Sequence, residues 1–486
     1  MRSRFLQVVL AGAAIAVVAP VGAVGAAVVP APGFAVRTFP TGDAVQGGVV
    51  RRGNALIVGL GTFGSGGQRI VRLEGARATT IADGFSSLGG FDLDAGGGTL
   101  YVVDNCFGAD FGCGNPSTGD TLYAVADPVA RTTVAAAGAS TVVPSGSFAT
   151  PQDVLVVPGA ILVSDAVGVG AGRVAKVVGT TITNLATGLD FLGGLVSDGT
   201  VLYVGNLDGS FVGSVRRYTL AGAPQSPLID GLSGSYGLAR DAGGNVLLTG
   251  GFTGDFSSST LLAVNGAGVA SERAHGFSFS GDVFFDAARG AALVLDFGAT
   301  AVAAVCADAD GDAVCDADVA GPAPVVKARL KIGRQLTPPG DDTLSFKGQM
   351  TIPQVPALDP VANGATVLVD DADGRVIVDV AVPGGAYDPV ARAGWRVIGG
   401  GTAWSYRSSS GVLGITAVKV KRVASAPGLV KFTVKGKRGA YDTTGAALPV
   451  QGVLALGPAG QGGLATFSGT SPVCSVVAGG NTLNCR

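Results

Sequence analysis

Leu88-Gly-Gly-Phe-Asp-Leu-Asp94, followed after a Gly-rich turn by Leu100-Tyr-Val-Val-Asp104, is the stretch on which the fold turns. Two short apolar runs flank Ala95-Gly-Gly-Gly98, the pattern of a β-hairpin. The first run recurs as Val45-Gln-Gly-Gly-Val-Val-Arg51, Pro151-Gln-Asp-Val-Leu-Val-Val157 and Leu192-Gly-Gly-Leu-Val-Ser-Asp198. It recurs again as Ser235-Tyr-Gly-Leu-Ala-Arg-Asp241 and Ser280-Gly-Asp-Val-Phe-Phe-Asp286. A second apolar run follows each, as in Ile161-Leu-Val-Ser-Asp165, Leu202-Tyr-Val-Gly-Asn206 and Leu293-Val-Leu-Asp296. Most units add a third strand, such as Thr121-Leu-Tyr-Ala-Val125 or Ser259-Thr-Leu-Leu-Ala-Val264, and a weaker fourth.

The first strands return every 41 to 45 residues, apart from one longer interval, which is assigned to an inserted loop at Asn105–Asp120. Four short strands per period of this size predict a β-propeller blade. Six units predict a six-bladed propeller over residues 33–306; a β-solenoid or an irregular sandwich is the alternative. The sixth unit stops after three strands at Cys306. Phe34-Ala-Val-Arg-Thr-Phe39, ahead of the first unit, is expected to add the missing outer strand and close the ring. Closure removes two unpaired sheet edges.

This region resembles the six-bladed propellers of the NHL-repeat and gluconolactonase-like groups. That resemblance implies a divalent metal in the central funnel and, with it, a metal-dependent lactonase-like hydrolase. Asp104, Asp165, Asn206 and Asp296 fall at equivalent second-strand ends and are the funnel candidates. No Glu is suitably placed to complete the group's ligand set, and such Asp and Asn residues otherwise cap turns.

The composition agrees with an all-β chain. Of 486 residues, 80 are Gly, and Glu occurs only at Glu74 and Glu272. Glycine weakens helices, and good helix formers are scarce. The net charge is −2, but eight of the nine lysines lie at or after Lys327, so an acidic first part gives way to a basic second one.

The change falls at Cys306-Ala-Asp-Ala-Asp-Gly-Asp-Ala-Val-Cys-Asp-Ala-Asp318. Asp308, Asp310, Asp312, the Val314 carbonyl and Asp316 follow the alternate spacing of a calcium loop, with Asp318 two further on. Hard oxygen ligands without a nearby His favour calcium. Such dense carboxylates repel one another unless a cation neutralises them. The stretch resembles the calcium loops of thrombospondin type 3 repeats and, more loosely, of EF-hands and dockerins. Ala313 stands where such loops place Gly, and Val319 where an EF-hand places Glu. The alternative is a solvated acidic linker.

Residues 1–26 read as a secretory signal: Arg2 and Arg4, an apolar run from Phe5 to Ala19, then Val24-Gly-Ala26 as a cleavage site. A retained anchor is the alternative. A secreted, periplasmic or cell-surface bacterial protein without a membrane span after signal removal is expected. Cysteines then pair by proximity: Cys106 with Cys113, Cys306 with Cys315, and Cys474 with Cys485.

Residues 306–325 form the loop and linker, and 326–486 a β-sandwich, with lysines alternating against aliphatics. Lys419, Lys421, Arg422, Lys431, Lys435, Lys437 and Arg438 make a candidate basic patch for an anionic polysaccharide or the acidic propeller. The alternative is a solubilising outer face.

Enzymatic signatures are sparse. His275 is the sole histidine, no nucleophile elbow is present, and no Gly-rich run continues into a P-loop. The expectation is a non-catalytic calcium-binding propeller acting on an extracellular ligand, a polysaccharide or a surface protein. The hydrolase is the runner-up, and nucleic acid is not expected.

Overall fold

The structure is a computed structural model. It describes residues 27–486 apart from 63–66, 107–118, 138–139, 167, 252–257, 337–339, 458–459, 469–472 and 478. The signal segment and Cys113 lie outside the described residues. Two compact units are present. One comprises residues up to Val36, Thr41–Leu73 and Thr79–Cys306; the other comprises Arg37–Pro40, Glu74–Ala78 and Ala307–Arg486.

The first unit is built from six small antiparallel sheets. Their inner strands are Val45–Arg52, Leu88–Leu93, Pro151–Val157, Phe191–Ser197, Ser235–Arg240 and Ser280–Asp286. Each inner strand packs against the next, and the last packs against the first, so the six blades close a ring. Each inner strand carries a register break near its start, for example between Leu192 and Leu195. That break coincides with the Gly-Gly pairs. A Cβ on Gly194 would stand 2.4 Å from the Leu238 nitrogen of the next blade, and one on Gly193 2.3 Å from the Tyr236 oxygen. The glycines are there because adjacent backbones meet where a side chain has no room.

Phe34–Pro40 is the outer strand of the sixth sheet, beside Ala301–Ala307, as the closure argument expects. Sequence reading missed Val29–Pro30, which pairs with His275 and Ala274 on the outer strand of the fifth. The second blade departs from the pattern, with three strands ending at Thr121–Ala126. Its long interval does not come from Asn105–Asp120 alone. After Ala126 the chain runs out to place Ala135–Ala136 parallel to the outer strand of the first blade.

The other unit is a two-sheet sandwich. Five strands form one sheet, including Ala365–Asp370, Val376–Val382 and Gln451–Ala455. Eight form the other, from Ala393–Ile398 at one edge to Cys474–Val477 at the far edge. Phe346, Val418, Phe432 and Val434 of the larger sheet share one buried core with Val367, Val378 and Leu454 of the smaller. Alternation puts these aliphatics inward and the lysines outward.

Candidate metal loop and axial carboxylates

The inner strands carry three carboxylates, Asp153 buried and Asp92 and Asp282 half-buried. Asp153 and Asp282 occupy the position that is the second glycine of the pair in the first, second and fourth blades. Each side chain reaches into the following blade. Asp153 accepts the Leu195 N–H at 2.8 Å and Asp282 the Val49 N–H at 3.0 Å. Asp92, two residues further along its own strand, accepts the Val156 N–H at 2.8 Å. Burial pushes Asp92 up to about 6 and Asp153 up to about 7. Burial and then the Asp153 charge push Asp282 well above the ordinary carboxylate range. Carboxylates removed from water without a cation favour the neutral form.

An aromatic group lies beside Asp153 and Asp282. Tyr236 donates to Gln152 Oε1 at 3.2 Å and lies 6.0 Å from the Phe297 ring, which stacks on Phe279. Asp92, Asp153 and Asp282 were absent from the sequence-based candidates. For Asp153 and Asp282 the available signal was a charged residue at a glycine position in an otherwise apolar strand.

The four funnel candidates sit at second-strand ends, opposite the starts of the inner strands, where they close turns. Asp104 accepts the N–H groups of Ser86 and Ser87, at 3.0 and 2.7 Å. Asp296 accepts those of Ser278 and Phe279. Asp165 accepts those of Ala149 and Thr150 and pairs with Arg173 at 2.8 Å. Asn206 accepts the Asp190 N–H at 2.9 Å. Each satisfies the backbone entering its own inner strand, which a buried turn requires. Burial raises Asp104 to about 7.

The acidic stretch belongs to the sandwich unit. Carboxylate oxygens of Asp308, Asp310 and Asp316 lie within 4.8 Å of one another, the group among the described residues with metal-ligand spacing. Asp308 is buried and shapes the turn, accepting from Gly311, Asp312 and Ala313. Ala313 has φ +64°, the left-handed conformation that the missing glycine would have supplied. Asp312 accepts the Val314 N–H instead of joining the three; burial and then the charges of Asp310, Asp308 and Asp316 raise it to about 6. The Val314 side chain is buried with Val319 against Leu368 and Val453 of the five-stranded sheet.

Asp318 is turned away from the three. It lies 3.8 Å from Arg37, which also contacts Asp370 at 2.9 Å and Asp379 at 3.9 Å. One buried guanidinium thus faces three carboxylates. Burial lowers the Arg37 pKa, but the carboxylates outweigh it and hold the guanidinium charged. Asp370 rises to about 6, because burial outweighs its share of that single cation.

Cys474 and Cys485 are bonded to each other, and Cys106, Cys306 and Cys315 are all disulfide-bonded. His275 is exposed and sits 2.7 Å from Glu272.

No protein-family model matches the sequence, and no curated protein matches it. Solved structures with a similar backbone include a gluconolactonase from Xanthomonas campestris, at 13% identity and TM-score 0.41, covering 58% of this chain and 97% of that one. They include the calcium-binding protein regucalcin from Agrobacterium tumefaciens, at 14% and 0.38, covering 56% and 85%. A PQQ-bound aldose sugar dehydrogenase from Streptomyces coelicolor is similar at 12% and 0.41, covering 57% and 99%. At these values none of them assigns an activity to this chain.

Proposed function

We propose that this chain is an exported, calcium-binding β-propeller protein that acts as a non-catalytic module for an extracellular ligand, with a propeller face as the platform. The observation that carries the calcium reading is the convergence of Asp308, Asp310 and Asp316 within 4.8 Å. Three hard carboxylates around a turn shaped by Asp308 suit a cation that takes oxygen ligands, and these residues would hold it. Calcium bound there neutralises like charges that otherwise repel. Calorimetric titration of the full chain with calcium is the test. Binding should appear with the native protein and weaken at least tenfold in Asp310→Asn and Asp316→Asn. Equal binding by the variants would place the ion elsewhere, and no binding would end the calcium reading.

A second reading, a lactonase-like hydrolase, draws on Asp92, Asp153 and Asp282, since carboxylates with raised pKa values serve as general acids. It requires lactone hydrolysis that Asp153→Asn abolishes. Hydrolysis absent from the native protein, with calcium supplied, would leave the binding module alone.

A further inference from the structure

The outward face of the eight-stranded sheet is cationic over a wider area than the lysines of the basic patch alone. Strand register aligns its side chains in rows. One row runs Arg396, Ser405, Lys419, Thr433, Lys347, Arg329. The neighbouring row runs Arg407, Ala417, Lys435, Ser345, Lys331. A third brings Lys421 opposite Lys431. On four strands a cation of one of the first two rows stands beside a small residue of the other, while Arg329 and Lys331 share a strand. Every Lys and Arg named in the rows is exposed. None forms an ion pair among the described residues; Arg396 lies 3.8 Å over the Tyr387 ring. No Asp or Glu occupies an outward position in these strands; Asp342, in the central region, is buried.

A single-sign face of this kind costs stability through self-repulsion, which a surface made only for solubility avoids by mixing signs. The spacing narrows the partner. Strands stand about 4.8 Å apart, so cations of a row recur at about 5 Å where they pair directly, as Lys347 with Arg329 and Lys421 with Lys431, and at about 10 Å where they alternate. Duplex DNA presents one charge per about 1.7 Å of axis, far denser than this array. Single-stranded nucleic acid needs aromatic platforms, and no aromatic stands in the rows. Insertion into a lipid surface needs an apolar strip beside the charges. In the first two rows the intervening positions are Ser, Thr and Ala, small and mostly hydroxylated; the exposed Ile398 and Val326 stand at opposite ends of the third row and form no strip. That suits a flat, hydroxyl-bearing polymer with widely separated carboxylates.

The geometry points to this face as a docking surface for an extended, uronate-type anionic polysaccharide lying across the strands. The polymer's carboxylates meet the Lys and Arg side chains, and its hydroxyls meet Ser345 and Thr433. The inference rests on charge placement alone and stands apart from the calcium loop.

The test uses the full chain and immobilised polygalacturonate in EDTA, so that loop-bound calcium cannot bridge the two. Binding should be retained on polygalacturonate, absent on neutral dextran, and weaken steeply as salt rises. The double variant Lys419→Glu/Lys435→Glu should lose at least tenfold in affinity with an unchanged melting temperature. Should that variant misfold, Lys419→Gln/Lys435→Gln carries the same expectation at a smaller loss. Binding that is missing at low salt, or equal in a folded variant, overturns the proposal. So does tighter binding to phosphatidylglycerol vesicles or single-stranded DNA than to polygalacturonate.

Discussion

Asp153 shows how one side chain sets a pH dependence. Its folded-state pKa of about 7 stands above its usual 3.8. Between those values the folded chain keeps a proton that the unfolded chain has lost. Stability from this group is therefore full below about pH 4 and declines as pH rises to 7. Asp92, at about 6, and Asp104, at about 7, act with the same sign. Asp153→Asn keeps an oxygen for the Leu195 N–H without the charge. It should leave the melting temperature near pH 4 almost unchanged and raise it at pH 8, by the equivalent of about 4 kcal/mol. Thermal melts across that range decide the matter, and a profile parallel to the native one would mean the proton resides elsewhere. Arg37 is the opposite case, a cation whose loss removes a buried counter-charge from Asp318, Asp370 and Asp379. Arg37→Met should destabilise by about 3–5 kcal/mol, read as a lower urea midpoint.

At the level of elements, the inner strands explain why the repeat is rich in glycine. Backbone meets backbone between blades, and polar side chains bridge the contacts. Asp92, Asp153 and Asp282 do so for three pairs, and Thr249 donates to the Gly281 oxygen at 2.6 Å for another. A methyl group on Gly194 meets backbone, 2.4 Å from the Leu238 nitrogen and 3.0 Å from the Gly237 carbonyl carbon and the Tyr236 oxygen. Gly194→Ala should cost about 3 kcal/mol or more, as overpacking against an immovable neighbour does. Gly266→Ala, with nothing within 4 Å, is the control and should be close to neutral. Equal melting curves for the two variants would refute the close-approach account. The strand pattern was readable because alternation and Gly-rich turns are local. The irregular second blade was not, because its extra chain is consumed by pairing with the outer strand of another blade.

For the whole molecule, ring closure depends on the segment that precedes the first repeat. Phe34–Pro40 covers the edge that Ala301–Ala307 would otherwise expose. A chain lacking residues 27–40 should shift from monomer to aggregate in size-exclusion chromatography, since an open strand edge templates pairing. A monomeric, equally stable product would show that closure does not need that strand.

Repeats, turns, charge asymmetry and the Asp308–Asp318 spacing were written in neighbouring residues, so the chain alone determined six blades, a β-rich second unit and where a cation would be sought. Folding alone decided which charges share a space. Arg37 meets Asp370 across a separation of 333 residues. Asp318 joins them rather than the loop, and the cationic rows gather side chains from several strands. The axial carboxylates come together only because six strands converge on one axis. Local pattern follows from backbone geometry that a few residues dictate, whereas the electrostatics of a site depend on pairings that only the closed chain makes.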